Sequence, residues 1–257
     1  MIRSHFLIIF LFPLFINCSS GTVKEKKSVI ANSDTILVDY CQKFNQLNSE
    51  IRDGKLKFSD ASMQFKFLIS EIKKQYLITN PSKFSKSDWV FPVQGYNKSA
   101  IGGSNGNGYV PSNYNYFDGN KHTGHPAQDI FIRDNNQNCL DDISNKSVNI
   151  LSISAGIVIA LEPVWNENSQ LRGGKYILIY DPQNDLLFYY AHNSEISVKI
   201  CDIIMPGMVI AKVGRSGINA FKKRSPTHLH LMCLKINNEL LPVPINIYND
   251  LIKMKTK

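Results

Sequence analysis

Hydrophobic positions change their period along this chain, and the change divides it in two. Leu37, Cys41, Phe44, Leu47 and Ile51 recur at the spacing of one helix face, with Gly54 where a C-terminal cap belongs. Met63, Phe67 and Ile72 repeat the pattern behind Ser59-Asp60, a pair suited to start a helix. The spacing predicts two short antiparallel helices over 35–53 and 60–77, a hairpin within 35–80. Beyond Pro81 the period shortens toward two. Strand-like runs follow over 129–133, 148–153, 156–161, 175–180, 186–191, 208–213 and 228–235, punctuated by Gly, Pro, Asn and Asp. Residues 97–124, rich in Asn, Gly, Ser and Tyr, read as a long irregular loop, a feature that usually carries function. The expected fold class is therefore mainly β: a small antiparallel sheet domain over 89–248, preceded by a helical hairpin. No internal repeat is evident.

The first residues add an address. Arg3 precedes an apolar run over 6–16 that is too short to span a bilayer, so 1–17 read as a secretory signal. "FINC" resembles a bacterial lipoprotein signal, which implies Cys18 as the first mature residue, carrying a lipid anchor into a membrane; Asn17 departs from the small residue usual there. The alternative is an ordinary cleaved signal. Either way the chain is expected to be exported to the cell envelope or periplasm, with polar, Lys/Ser-rich 18–34 as a tether. Cys41, Cys139, Cys201 and Cys233 match no zinc-finger spacing, and export permits pairing without saying which.

Charge changes the picture little. The net charge of +8 suits an anionic partner such as cell wall, but the basic residues form no stripe interleaved with aromatics, so nucleic acid is not expected. "GGSNG" at 102–106 opens no helix, which excludes a phosphate loop, and Ser216 in "RSG" lacks the strand–elbow–helix context of a serine hydrolase.

The chemistry lies in the histidines. Five of the six fall in three short segments of the β region. In "PTHLHL", His228 and His230 stand two apart, so on a strand they share one face while Leu229, Leu231 and Cys233 take the other. In "KHTGHPAQDIFI", His125 and Asp129 are separated by three residues at the start of a strand-like run. His192 ends "FYYAH". A catalytic zinc needs three N or O ligands and an open fourth position, and His125, Asp129 and one histidine of the pair would supply them.

In this order "GHPAQD", "YYAH", "GMVIAKVGRSG" and "HLH" resemble the lysostaphin/LytM-type zinc endopeptidases, which cut peptide cross-bridges or stems of bacterial peptidoglycan. The likeness spans about 89–245. It implies a small antiparallel β fold with a groove across the sheet. It also implies one zinc per chain on His125, Asp129 and His230, and two catalytic histidines, His228 and His192, acting on the zinc-activated water and the developing oxyanion. His228 as base with His192 as oxyanion donor is one division of these roles, and its reverse the other. The implied activity is a zinc metalloendopeptidase with wall peptides as substrate. The alternatives are a catalytically silent relative that activates other wall hydrolases and a wall-binding lipoprotein. Gln128 stands where the family has Gly, Pro226-Thr227 where it has Gly-Pro, and 218–225 is longer and more basic than usual. His122 and Asp129 partly resemble the H-x(6)-D segment of zinc D-Ala-D-Ala carboxypeptidases, but the Glu that family needs near its last ligand is absent, so His122 is read as a loop residue. The long loop before His125 is expected to wall the groove.

Overall fold

In the folded chain the two hydrophobic periods form two layers. The computed structural model describes residues 21–80 and 82–257, with side chains from Thr35 onward; the signal over 1–17 and the anchor residue Cys18 lie outside the described residues. Helix α1 (Gly21–Arg52) and helix α2 (Phe58–Thr79) form the hairpin. Strands β1 (Ala127–Phe131), β2 (Asn149–Leu151), β3 (Gly156–Glu162), β4 (Tyr176–Asp181), β5 (Leu186–Ala191), β6 (Glu195–Ile196), β7 (Ile203–Ile204), β8 (Val209–Lys212), β9 (His228–Ile236) and β10 (Pro242–Ile245) follow, then the short helix α3 (Tyr248–Leu251). The fold is mainly antiparallel β, as the sequence predicts. The larger sheet runs β1-β9-β5-β4-β3-β7, with β10 also on β9; a smaller one runs β2-β8-β6.

Helix boundaries depart from expectation in two places. Residues 21–34, expected as a tether, belong to α1. They contain no Pro and no Gly after Gly21, so a helix anchored by its packed C-terminal half propagates through them. Ser59-Asp60 lies in the first turn of α2 rather than at its cap, which is Lys57. Asp60 then sits where a negative charge suits the helix dipole. Gly54 behaves as expected: at φ 66° it reverses the chain after α1.

Strand β9 organises the molecule. Its length fills the register of β5, while β1 pairs with its first half and β10 with its second. Leu229, Leu231 and Cys233 point into one core with Ile130, Phe188, Tyr190 and Trp89. On the opposite face, Met232, Leu234 and Ile236 pack beneath the hairpin with Leu187, Leu178, Phe44, Phe65 and Ile72. His228 and His230 continue that second face, beyond the helices. The hairpin thus covers the apolar end of a face whose other end bears histidines. Burying the fully enclosed Phe44, Phe65 and Ile72 contributes about 1.5–3 kcal/mol each. No described residue takes part in a disulfide; the buried Cys41 thiol on α1 hydrogen-bonds Cys201 before β7. No helix among the described residues is long and apolar enough to cross a membrane.

Candidate metal centre and its cleft

Antiparallel register assembles the cluster. Asp129 on β1 lies directly across from His230 on β9, and Ala191 at the end of β5 lies across from His230 on the other side. Cross-strand partners project to the same face, so the strands bring Asp129 and His230 together although 101 positions separate them. His125 precedes β1, held by reciprocal backbone hydrogen bonds with Val110 of the long loop. His192 follows β5 at φ 66°, a left-handed conformation uncommon outside glycine. That turn directs its ring toward β9. Gly217, at φ 110°, lies beneath the ring, and a Cβ there would sit 2.9 Å from His192 Nδ1.

His125, Asp129 and His230 each offer an atom within 4.8 Å of the others, the one such group of His, Cys, Asp or Glu among the described residues. His125 Nε2 is 3.3 Å from Asp129 Oδ2, and His230 Nδ1 is 3.0 Å from Asp129 Oδ1. Ligands on a tetrahedral zinc with bonds near 2.05 Å stand about 3.3 Å apart, so these spacings fit such an ion. The N, O, N donor set also leaves a fourth position open. His125 Nδ1 donates to Gly108 O at 2.8 Å; a carbonyl only accepts, so Nε2 faces Asp129 with a proton when the ring is charged and with a free lone pair when it is neutral.

The two other histidines are held in the same way. His228 Nδ1 donates to Pro226 O at 2.7 Å, and its Nε2 lies 3.8 Å from Asp129 Oδ1. His192 Nδ1 donates to Ser216 O at 2.8 Å. Ser216 is itself fixed, its hydroxyl bridging Asn193 O and Lys175 N. The His192 ring centre is 4.9 Å from that of His228 and 5.4 Å from that of His230. Exposure grades across the site: His228 and His192 are 6% and 8% exposed, the side chains of Asp129 and His125 24% and 38%.

Charge follows this packing. Burial alone would raise the Asp129 carboxyl, but hydrogen bonds from His125 and His230 outweigh it and hold the group well below the carboxylate range. The Asp129 hydrogen bond raises His125. Burial pushes His192 and His230 down, which favours their neutral forms. Neutral imidazole and ionised carboxylate are the forms that bind metal.

These groups open into a cavity of about 300 Å³. Its walls include residues the sequence reading passed over. Asn48 and Arg52 reach it from α1, Arg172 and Gly173 from the β3–β4 connection, and Tyr114 and Tyr116 from the long loop. That loop does form a wall. It is fastened to the hairpin, where Tyr116 donates to Asn48 at 2.7 Å and Asn48 donates to Tyr176 at 2.8 Å. His122 lines the cavity outside the cluster, its ring centre 4.7 Å from Tyr114's. Only "FYY" carried a signal for this wall. Tyr190 faces the core, so Tyr189 must face the histidine side. The departures from the family pattern have local roles: Thr227 donates to the buried Asp134 at 2.6 Å, and Gln128 donates to Gly106 O and Asn246 at 3.3 Å.

Comparison with known proteins agrees with the resemblance read from the sequence. Residues 136–242 match peptidase family M23. This segment holds His192, His228 and His230 and begins after Asp129. No curated protein matches the sequence. Among solved structures, a Ruminococcus gnavus protein titled as a glycyl-glycine endopeptidase, lytM, is 21% identical, with 73% of this chain and 74% of that one covered at a TM-score of 0.44. Lysostaphin of Staphylococcus simulans is 21% identical, over 65% of this chain and 54% of that one, at 0.40. A zinc-containing peptidase of Vibrio cholerae is 18% identical, over 66% of this chain, at 0.38; the match spans 40% of its length.

Proposed function

We propose that this chain, which carries a domain of peptidase family M23, is a zinc-dependent endopeptidase that hydrolyses peptide bonds of bacterial peptidoglycan. One observation carries the reading: two nitrogens and a carboxylate oxygen within 4.8 Å of one another share a cleft with two further imidazoles, both held by backbone carbonyls.

His125, Asp129 and His230 would hold the zinc. When bound there, zinc supplies a Lewis acid for the scissile carbonyl and lowers the pKa of water to about 7. The protein's own groups do the rest. His228 Nδ1 is committed to Pro226 O, so Nε2 is the basic atom facing the cleft; it takes a proton from water and returns it to the leaving amine. His192, with Nδ1 committed to Ser216 O, directs Nε2 into the cleft from the other side. Burial favours its neutral form, in which Nε2 accepts, so it becomes a donor to the developing oxyanion only once a proton has reached Nε2. One such donor contributes roughly 3 kcal/mol in the transition state. The cavity walls exclude water and orient the peptide.

The reading includes export and attachment through a lipid on Cys18, which mass analysis of the mature N-terminus tests. The main test is digestion of purified peptidoglycan, with products identified by mass. The wild-type protein with about one zinc per chain should release peptides, and Asp129→Ala should release none. Metal-loaded wild-type protein that cleaves nothing would overturn the reading in favour of a catalytically silent relative acting on other wall hydrolases.

A further inference from the structure

Two arginines line the cavity, and their situations differ. Arg52 is neutralised: Nε donates to Asp53 at 2.7 Å, and Nη1 donates to Glu162 at 2.8 Å. Arg172 forms no ion pair among the described residues. Its Nη1 donates to His122 O and to Asn120 O, both uncharged backbone acceptors. Nε and Nη2, the edge of the guanidinium that grips a carboxylate with two parallel bonds, have no partner among the described residues. The side chain is half-buried, so water satisfies that edge only in part.

Other unused polar atoms lie beside it. His122 Nδ1 is buried with no hydrogen-bond partner among the described residues. The Tyr114 and Tyr189 side chains line the cavity, and their hydroxyls, which are not buried orphans, have no protein partner among the described residues. Next to Arg172, Gly173 lacks the Cβ that would collide with the Tyr189 hydroxyl. Buried polar groups are normally satisfied, so the orphaned His122 Nδ1 marks a missing partner. It shares the cavity of the metal-ligating set with two hydroxyls unpaired within the protein and one uncompensated cation, the groups that would meet an anion.

We infer that Arg172, supported by Tyr114 and Tyr189, is a specificity residue that binds a free carboxylate of the substrate peptide. The substrate is then an acidic wall peptide rather than an uncharged bridge. This rests on the endopeptidase reading for the identity of the ligand, but its test reads binding apart from cleavage. The full-length protein, supplied with zinc, is given a muropeptide mixture and the same mixture with its carboxylates converted to amides. Retention is read by rapid filtration and cleavage by mass. The expected result is at least about 30-fold tighter retention of the free-acid mixture, the usual cost of removing one partner of a buried charged hydrogen-bonded pair. Arg172→Gln should retain both mixtures equally weakly. Equal retention of both by the wild-type protein overturns the inference, and so does a preference that survives in a folded Arg172→Gln. If that variant unfolds, the wild-type comparison decides alone. Preference without cleavage sustains the subsite and sinks the hydrolase; cleavage without preference does the reverse.

Discussion

The cleft has two walls built by different means. The strand wall holds Asp129, His228 and His230, fixed by antiparallel register and carbonyl partners. The opposite wall holds Asn48, Tyr114, Tyr116 and Arg172, gathered from a helix, a long loop and a strand connection. Pleat geometry and strand register set the first. Side-chain hydrogen bonds between distant segments set the second. Under the proposed function, chemistry would reside on one support and selectivity on the other, so mutations should separate them.

The largest effect should come from the strand wall. His230→Ala or Asp129→Ala removes a ligand, so metal content should fall from about one per chain to near zero. Hydrolysis should fall at least about 10⁴-fold, several kcal/mol of transition-state stabilisation. Retained stoichiometric zinc in either variant would break the distinction at its root. His228→Ala and His192→Ala should keep the metal yet slow hydrolysis by about 10²- to 10³-fold each. Rate and metal content measured together check this.

The hairpin wall should respond in stability before chemistry. Phe65 is fully buried against Phe44 and Tyr116, so Phe65→Ala should cost about 3–5 kcal/mol in denaturant unfolding, with zinc stoichiometry unchanged in the folded fraction. Asn48→Ala cuts the link from Tyr116 to Tyr176 and leaves the buried Tyr116 hydroxyl without its acceptor, while Tyr176 Oη keeps Arg52 Nη1 at 3.3 Å. It should cost about 1–3 kcal/mol and change substrate preference more than the rate on a small peptide. Equal changes in both would merge the two walls into one.

Asp141 lies outside both walls and serves as a control. It accepts from Tyr96 Oη at 2.5 Å and from Arg133 Nε at 3.0 Å. The Tyr96 hydrogen bond leads the causes that hold its carboxyl below the usual range. A lowered folded value means the stabilisation is present above the unfolded pKa of about 3.9 and is lost as pH falls below it. Asp141→Asn should therefore cost about 1 kcal/mol at pH 7 and progressively less below about pH 4, read from unfolding midpoints, with hydrolysis unaffected.

Sequence and structure part along the same line. The alternation in "HLHL" fixed which face each residue takes, because side-chain direction on a strand is a local property. The spacing of Leu37, Cys41, Phe44, Leu47 and Ile51 likewise marked the buried face of α1, and all five are buried. Residues 21–34, read as a tether from their polar composition, are helical, because polar composition does not stop a helix that neighbouring turns have already nucleated. Tyr114 and Arg172 gave no signal at all, since nothing local distinguishes a tyrosine in an Asn/Gly-rich loop that points at a cleft from one that points at solvent.

By itself the sequence determined the helical hairpin, the β character of the rest and the family-like order of His125, Asp129, His192, His228 and His230. The first two rest on periodicity within a few residues, the third on the resemblance of separate short motifs to a known family. Only the tertiary structure decided that the hairpin lies on the histidine-bearing face, and that Asn48, Tyr116 and Tyr176 join across it. It also decided that Arg172 faces the cleft without a carboxylate partner among the described residues. Those outcomes depend on contacts between segments 50 to 128 residues apart, a balance that no local pattern encodes.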